Sequence, residues 1–185
     1  IRGIVFDGAS EVADAIRIDD TVTGAPVVIS GCTVRNYTNR FVYVSLSGKI
    51  ESLTIDDCIF IGADNSTTNK AIYASSAHTQ VETLSVTNST FLNFNTGSNY
   101  FFRINCGEEL VLMPVVLIDH CTFYNCYDRR GVYLYNAGRS TIKNCISAFS
   151  ERRDDTKSFT AYGDESIVKN VISYNVDLYG SAPKE

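Results

Sequence analysis

Hydrophobic and polar residues alternate with period two over short stretches of this chain, and one such stretch recurs along it. It reads IDHCTFYNC at residues 118–126, and related stretches begin at Ile29, Ile55, Val86, Ile142 and Val168. A degenerate copy, FDGAS, begins at Phe6. From Ile29 onward, the gaps between copies are 26, 31, 32, 24 and 26 residues. A constant motif with variable gaps predicts a repeated structural unit that alternates with loops of different length.

Two polar positions in each copy interrupt the alternation and predict sharp bends. They hold mostly glycine, asparagine and aspartate, which tolerate a left-handed backbone better than other residues do. The first bend is predicted at Gly8, Gly31, Asp57, Asn88, His120, Asn144 and Asn170. The second is predicted at Asn36, Gly62, Asn93, Asn125 and Asn175. We interpret His120 as a bend residue rather than as a general base, because its column is otherwise filled by bend-forming residues.

A third alternating stretch lies between consecutive copies, as in RFVYVS from Arg40 and GVYLYN from Gly131. Three short strands and three turns per pass predict one coil of a parallel β-helix, in which stacked coils bury a common core. Leucine-rich repeats, propellers and antiparallel sandwiches fit the spacing less well. We therefore expect an all-β solenoid of about six to seven coils, forming a single domain over residues 1–185. Because the chain starts inside the apolar run IRGIVF, we expect that it was cut from a longer protein.

The rung pattern Ile-x-Asn-Cys-x-Phe with its asparagine corner resembles the right-handed parallel β-helix of the pectate-lyase-like superfamily. Over almost the whole chain it is similar to uncharacterised β-helix domains in surface proteins of Bacteroidetes. The resemblance implies a right-handed, single-stranded β-helix located outside the cell, at the cell surface or in the periplasm. The superfamily includes lyases, hydrolases, esterases, phage tailspikes and adhesins, so the fold alone does not give the function.

Composition narrows the class of partner. The net charge is −5 and the pI is near 5.0, whereas a nucleic-acid-binding protein would show a basic stripe. No apolar stretch is long enough to cross a bilayer. We expect the partners to be a polysaccharide and other domains of the same polypeptide, with no nucleic acid and no membrane span in this segment.

Six cysteines are present, and four of them occupy one repeat position that should face inward: Cys32, Cys58, Cys121 and Cys145. Cys106 and Cys126 fall at turns, where exposure to solvent is expected. The spacing matches no zinc motif, so we predict no metal and six free thiols. Neighbouring coils lie about 4.8 Å apart, so a disulfide between Cys32 and Cys58 is geometrically conceivable.

The third strand carries the candidate site. One alternating set along it is apolar, so the opposite set should face outward; its central members are Arg17, Tyr43, Tyr73, Arg103, Tyr133 and Thr160. We call this set the tyrosine ladder. Residues expected to flank it on the same face are Phe41, Phe101, Asn105, Tyr135 and Tyr162. Tyrosine offers an apolar ring and a hydroxyl, a combination that suits sugar rings with one apolar face and a polar rim.

We therefore predict polysaccharide binding along the ladder, with Arg103 available to pair with a uronate or a sulfate. Arg129, Arg130 and Arg152, on neighbouring loops, are expected to form a charged wall. The alternatives are a polysaccharide lyase with Arg103 as base or carboxylate clamp, and a structural or adhesin spacer whose tyrosine face docks on another domain. No cofactor is expected, and calcium would enter only for a lyase. The ladder holds no acidic calcium ligands and no facing pair of carboxylates, which counts against catalysis.

Overall fold

The computed structural model describes residues 1–45, 49–62, 69–76, 81–94, 100–106, 115–126, 131–135, 139–148, 157–162, 166–174 and 177–179. These residues form strands and turns, with no helix among them. In chain order the strands are β1 (Val5–Asp7), β2 (Asp14–Ile18), β3 (Thr21–Val22), β4 (Val27–Ser30), β5 (Thr33–Arg35), β6 (Arg40–Val44), β7 (Lys49–Asp56), β8 (Ile59–Ile61), β9 (Lys70–Ser76), β10 (Val81–Thr87), β11 (Thr90–Leu92), β12 (Phe102–Cys106), β13 (Val115–Asp119), β14 (Thr122–Tyr124), β15 (Val132–Tyr135), β16 (Arg139–Lys143), β17 (Ile146–Ala148), β18 (Lys157–Tyr162), β19 (Ile167–Lys169), β20 (Ile172–Tyr174) and β21 (Asp177–Tyr179).

Three parallel sheets of seven strands run along the molecule. The first has the order β1-β5-β8-β11-β14-β17-β20, and the third has the order β2-β6-β9-β12-β15-β18-β21. The second runs β19-β16-β13-β10-β7-β3, and β4 also pairs with β7. Successive coils contribute one strand to each sheet, except that β3 and β4 both pair with β7, so the chain is a parallel β-solenoid with three short strands per coil, as the repeat predicts.

The predicted bends adopt the left-handed backbone. Positive φ values between 51° and 61° occur at Gly31, Asp57, Asn88, His120, Asn144 and Asn170 in the first column and at Asn36, Asn93 and Asn125 in the second. Asn175 lies outside the described residues. Gly62 is required at the second bend because of close packing: a Cβ there would lie 2.5 Å from the Asn93 carbonyl oxygen, which leaves no room for a side chain.

The first copy of the repeat was placed in the wrong register. Phe6 pairs with Val34, so it belongs to the second strand of its coil rather than to the start of a rung. The first bend is Gly3, with a φ of 64°, and Gly8 lies at the second bend beside Asn36. Two glycines five positions apart offered two possible bends, and only the strand pairing distinguishes them.

Side chains of the bend columns and of the core stack from coil to coil. The Asn88 and Asn144 amides donate to Asp56 Oδ1 and Asp119 Oδ1 of the preceding coil, each at 2.9 Å, so these hydrogen bonds join successive coils beside the bend column. Inside the solenoid, the Phe91 ring stacks between Phe60 and Phe123, with centroid distances of 5.0 and 5.1 Å.

The cysteine column faces inward as predicted, and its four members are buried. Cys126 is also fully buried, so its predicted exposure was wrong: the Asn125 bend turns its side chain into the core, where Sγ donates to the Phe91 carbonyl at 3.2 Å. The five cysteines whose side chains are described are free thiols, and the Cys106 side chain lies outside that set. Within the described residues, no helix is long and apolar enough to span a membrane.

Candidate functional site

The pairing of the third sheet brings the tyrosine ladder onto a single line. Arg17 pairs with Tyr43, Tyr43 with Tyr73, Tyr73 with Arg103, Arg103 with Tyr133, and Tyr133 with Thr160. Side chains of parallel strands in register project to the same side of the sheet. The repeat therefore places these residues one per coil on one face, although they are far apart in sequence.

The tyrosine rings of this face pack on one another rather than standing separately in solvent. Tyr43 and Tyr73 are 6.0 Å apart between centroids, and Tyr73 and Tyr100 are 6.5 Å apart. Tyr133 stacks nearly parallel to Tyr100 and to Tyr135, with centroid distances of 5.4 and 5.9 Å. Tyr133 lies in the middle of this stack and is only 6% exposed, so the expectation that its ring faces water was wrong.

Arg103 lies at the centre of the aromatic chain and is half-buried. Its Nη1 donates to the hydroxyl oxygens of Tyr73, at 3.3 Å, and Tyr100, at 2.5 Å. Its Cζ is 4.3 Å from the Tyr100 ring centroid and 5.9 Å from that of Tyr133. These are distances at which an aromatic quadrupole attracts a cation. The rings thus hold the guanidinium in a fixed position on the ladder.

No carboxylate in the described part of the chain neutralises Arg103, and its buried Nε has no hydrogen-bond acceptor. Arg17 of the ladder and Arg40 beside it differ from Arg103, because each is paired with a carboxylate. Arg40 donates twice to Asp14, each at 2.8 Å, and Arg17 donates from Nε to both oxygens of Asp19. Hydrogen bonding to Arg17 lowers the pKa of Asp19, so that carboxylate stays charged.

Tyr100, Arg40 and Lys70 belong to this face, and sequence reasoning missed them. The Arg40 guanidinium lies 3.5 Å from the Tyr43 ring centroid, and Lys70 Nζ lies 5.7 Å from that of Tyr73. In the run Tyr100–Phe102, strict alternation would turn Phe101 outward and Tyr100 inward, whereas the structure does the reverse. The tyrosine hydroxyl was the available signal, since a buried hydroxyl needs a partner and a phenyl ring does not.

Phe41 and Phe101 were predicted to flank the ladder on the outside, and this was wrong. They are 0% and 1% exposed, and both pack against the Phe94 ring, at 5.2 and 5.8 Å. Phe41 lies near the start of β6 and Phe101 just before β12, and each is followed by a second inward residue, Val42 or Phe102. The regular alternation of inward and outward side chains begins only after these pairs.

Four further predicted site residues cannot be placed on the face by their side chains. Arg129, Arg130 and Arg152 lie outside the described residues, as does the side chain of Tyr162. The backbone of Tyr162 pairs with Tyr135, which puts it in register with the outward column. The charged wall on the flanking loops therefore stays a prediction.

His120 lies away from the ladder, at the first bend between β13 and β14. Its φ is 53°, its side chain is 63% exposed, and its Nδ1 is 2.7 Å from Asp119 Oδ1. Burial raises the pKa of Asp119, but contacts with Asn144, Lys143 and His120 outweigh it, and the net effect is a lowered pKa. The position agrees with the interpretation of His120 as a bend residue.

A family model described as a domain of unknown function (DUF4957) matches residues 1–94. The matched segment contains strands β1 to β11, and with them Tyr43 and Tyr73, while Arg103 and Tyr133 follow it. The comparison with curated proteins found no match, and neither did the comparison with solved structures. The β-solenoid implied by the resemblance to pectate-lyase-like proteins is present, whereas kinship with that superfamily or with Bacteroidetes proteins is not among these findings.

Proposed function

We propose that this chain, which belongs to the DUF4957 family of unknown function, is a β-solenoid module that binds an extended polysaccharide along the tyrosine ladder outside the cell. Successive coils are about 4.8 Å apart, a distance close to the rise of an extended sugar chain. One side chain per coil can then contact one sugar per coil. The rings of Tyr43, Tyr73, Tyr100 and Tyr135 are partly exposed and offer apolar edges with hydroxyl groups.

The observation that carries this proposal is the environment of Arg103. A half-buried cation that no carboxylate of the described residues neutralises is costly to maintain unless something else compensates its charge. Three tyrosines hold this cation in place, and the guanidinium fork is suited to bind a carboxylate or sulfate. A uronate or a sulfated sugar lying on the ladder would supply that group.

The test is retention on immobilised polysaccharides, in a panel of acidic and neutral chains. Tyr73→Ala and Arg103→Gln should each weaken retention on the polysaccharide that binds the unaltered chain, by roughly tenfold for a lost contact of about 1.4 kcal/mol. Tyr133→Ala should also weaken it, but circular dichroism must accompany this variant because the ring is buried. Tyr124→Ala is the matched control, since Tyr124 is a 50% exposed tyrosine on the first sheet.

Two results would contradict the proposal. One is the absence of retention on every acidic and neutral polysaccharide in the panel. The other is a loss in Tyr124→Ala equal to that in Tyr73→Ala, which would show that binding does not depend on the third sheet.

The contact between the Arg103 guanidinium and the Tyr73 and Tyr100 hydroxyls favours a lyase as the second candidate function. In β-elimination a base removes the proton next to the uronate carboxylate, a carbon–carbon double bond forms, and the glycosidic oxygen leaves. The Arg103 guanidinium would neutralise the uronate carboxylate. A nearby tyrosine oxygen would accept the proton and pass it to the departing glycosidic oxygen. Absorbance from new unsaturated chain ends, lost in Arg103→Gln, would support this function, and no absorbance over a broad panel of uronates would remove it.

A further inference from the structure

The four cysteines of the inward column form two neighbouring pairs. Around Cys121 and Cys145, Asp119 pairs with Lys143 and Thr122 pairs with Ile146. The Ile146 amide donates to the Cys121 carbonyl at 3.0 Å. The two cysteines therefore lie directly opposite each other on successive coils.

Cys32 and Cys58 repeat this arrangement near the beginning of the chain. Ser30 pairs with Asp56 and Thr33 with Ile59, and the Ile59 amide donates to the Cys32 carbonyl at 2.8 Å. All four thiols of the column are buried to the same degree. Each pair thus has the same backbone frame and the same apolar surroundings.

Ser89 separates the two pairs. Its hydroxyl accepts from the Cys58 amide at 3.1 Å, and its carbonyl accepts from the Thr122 amide at 3.0 Å. It occupies the coil between Cys58 and Cys121, so each cysteine of the column has one cysteine on an adjacent coil and no second one. The column is divided into two pairs of thiols.

We propose that the thiols of Cys32 and Cys58, and those of Cys121 and Cys145, which are free in this structure, form disulfides between successive coils on oxidation, in place of the six free thiols that the sequence predicts. Opposed residues of neighbouring parallel strands are about 4.8 Å apart, which lies within the Cα separation of about 4.4–6.8 Å that a disulfide spans. Each bond would join coils that are otherwise held together by backbone hydrogen bonds and side-chain packing. The bonds form in an oxidising compartment, where disulfides persist.

The reaction is thiol–disulfide exchange with a small-molecule disulfide or a disulfide-bearing oxidoreductase. The thiolate of one cysteine attacks a sulfur of the oxidant, forms a mixed disulfide and releases the first thiolate of the oxidant. The second cysteine loses its proton and attacks its partner's sulfur, which closes the bond between coils and releases the second thiolate. Two thiols of the protein are oxidised, and one disulfide of the oxidant is reduced.

The burial of these thiols indicates when the bonds form. The hydrogen bond with Cys145, together with burial, raises the pKa of Cys121, and burial raises that of Cys58, whereas the hydrogen bond with Cys121 lowers the pKa of Cys145. All four thiols are enclosed in the core, out of reach of an oxidant, so exchange takes place while the coils dock, before the core closes. A disulfide prefers a Cβ separation of about 3.8 Å, so each bond must pull its coils together slightly and is more easily reduced than an unstrained one.

The experiment is oxidative refolding of the whole chain. The protein is unfolded and reduced, refolded with a mixture of reduced and oxidised glutathione, blocked with an alkylating agent in denaturant, and digested for mass spectrometry. The expected products are two cross-linked peptide pairs, Cys32 with Cys58 and Cys121 with Cys145, each lighter by two hydrogen atoms than its reduced components. Cys126 should be alkylated, because it is equally buried but belongs to neither pair.

Variants separate the pairs from general oxidation. Cys145→Ala should leave Cys121 alkylated while the Cys32–Cys58 bond still forms, and Cys126→Ala should change neither bond. The thermal midpoint of the oxidised protein should fall on reduction, and it should fall less in Cys145→Ala. The proposal is wrong if all four cysteines are alkylated after refolding, or if bonds between the two pairs, such as Cys58–Cys121, form as often as bonds within them.

Discussion

Replacing Asn88 by alanine tests how the bend column holds the coils in register. Asn88 adopts a φ of 51°, and its side-chain amide donates to Asp56 Oδ1 at 2.9 Å on the preceding coil. Alanine loses the hydrogen bond and must also accept a left-handed backbone, which a Cβ-bearing residue does at a cost of about 1–2 kcal/mol. The exposed hydrogen bond contributes about 0.5–1.5 kcal/mol. The free energy of unfolding should therefore fall by roughly 1.5–3.5 kcal/mol.

Asn88→Gly separates these two contributions. Glycine adopts the left-handed backbone freely, so only the hydrogen bond and some unfolded-chain entropy are lost, and the decrease should be about 1–2 kcal/mol. Denaturation by guanidinium chloride, followed by circular dichroism, gives the midpoints and the slopes. The order of stability should be the unaltered chain, then Asn88→Gly, then Asn88→Ala. If the alanine variant were as stable as the glycine variant, the backbone argument for the whole bend column would be refuted.

Three further predictions concern the core and its edges. Phe91→Ala should lower the free energy of unfolding by about 3–5 kcal/mol, because the ring stacks against Phe60 and Phe123; a loss below about 1 kcal/mol in denaturation would contradict this packing. Gly62→Ala should destabilise the fold in the same assay, because its Cβ would meet the Asn93 carbonyl oxygen at 2.5 Å, and a neutral result would show that the backbone can move aside. Burial raises the pKa of the Cys126 thiol to about 12. Its contribution to the free energy of unfolding is therefore complete below the unfolded-state pKa of about 8.5 and is lost as the pH rises toward 12. Cys126→Ala should flatten this alkaline decrease in the free energy of unfolding, and an unchanged decrease would refute the assignment.

The periodic part of this structure could be predicted from the sequence because every coil needs the same kinds of residue at its bends and in its interior. A left-handed bend after a short strand requires a residue such as Asn88 or Asn144, and a shared interior requires an apolar residue at a fixed distance from it. The alignment of Tyr43, Tyr73 and Arg103 follows from that periodicity. The chain contains several copies of its own pattern, so each copy indicates which positions of the others bend or face inward.

The prediction was wrong where the chain enters the third sheet. Phe41 and Phe101 each face inward together with the residue that follows, so alternation counted back from Tyr43 or Arg103 does not hold there. Contacts between side chains of different coils were also beyond the pattern. The burial of Tyr133 depends on stacking with Tyr100. Tyr100 lies before the start of β12, at a position that the repeat pattern does not identify as part of this face.

Because each strand pairs only with strands of adjacent coils, the described part of the solenoid can unfold one coil at a time. All strand pairs in the described part of the chain join consecutive coils, so unwinding can begin at one end and advance without breaking the remainder. At the C-terminal end, Ile167, Ile172 and Tyr174 are 51%, 65% and 64% exposed, so little apolar area is released there when β19 and β20 detach. Amide hydrogen exchange should then be fastest in those strands and slowest near Phe91, and damage to the last coil would leave Tyr43, Tyr73 and Arg103 in their native arrangement.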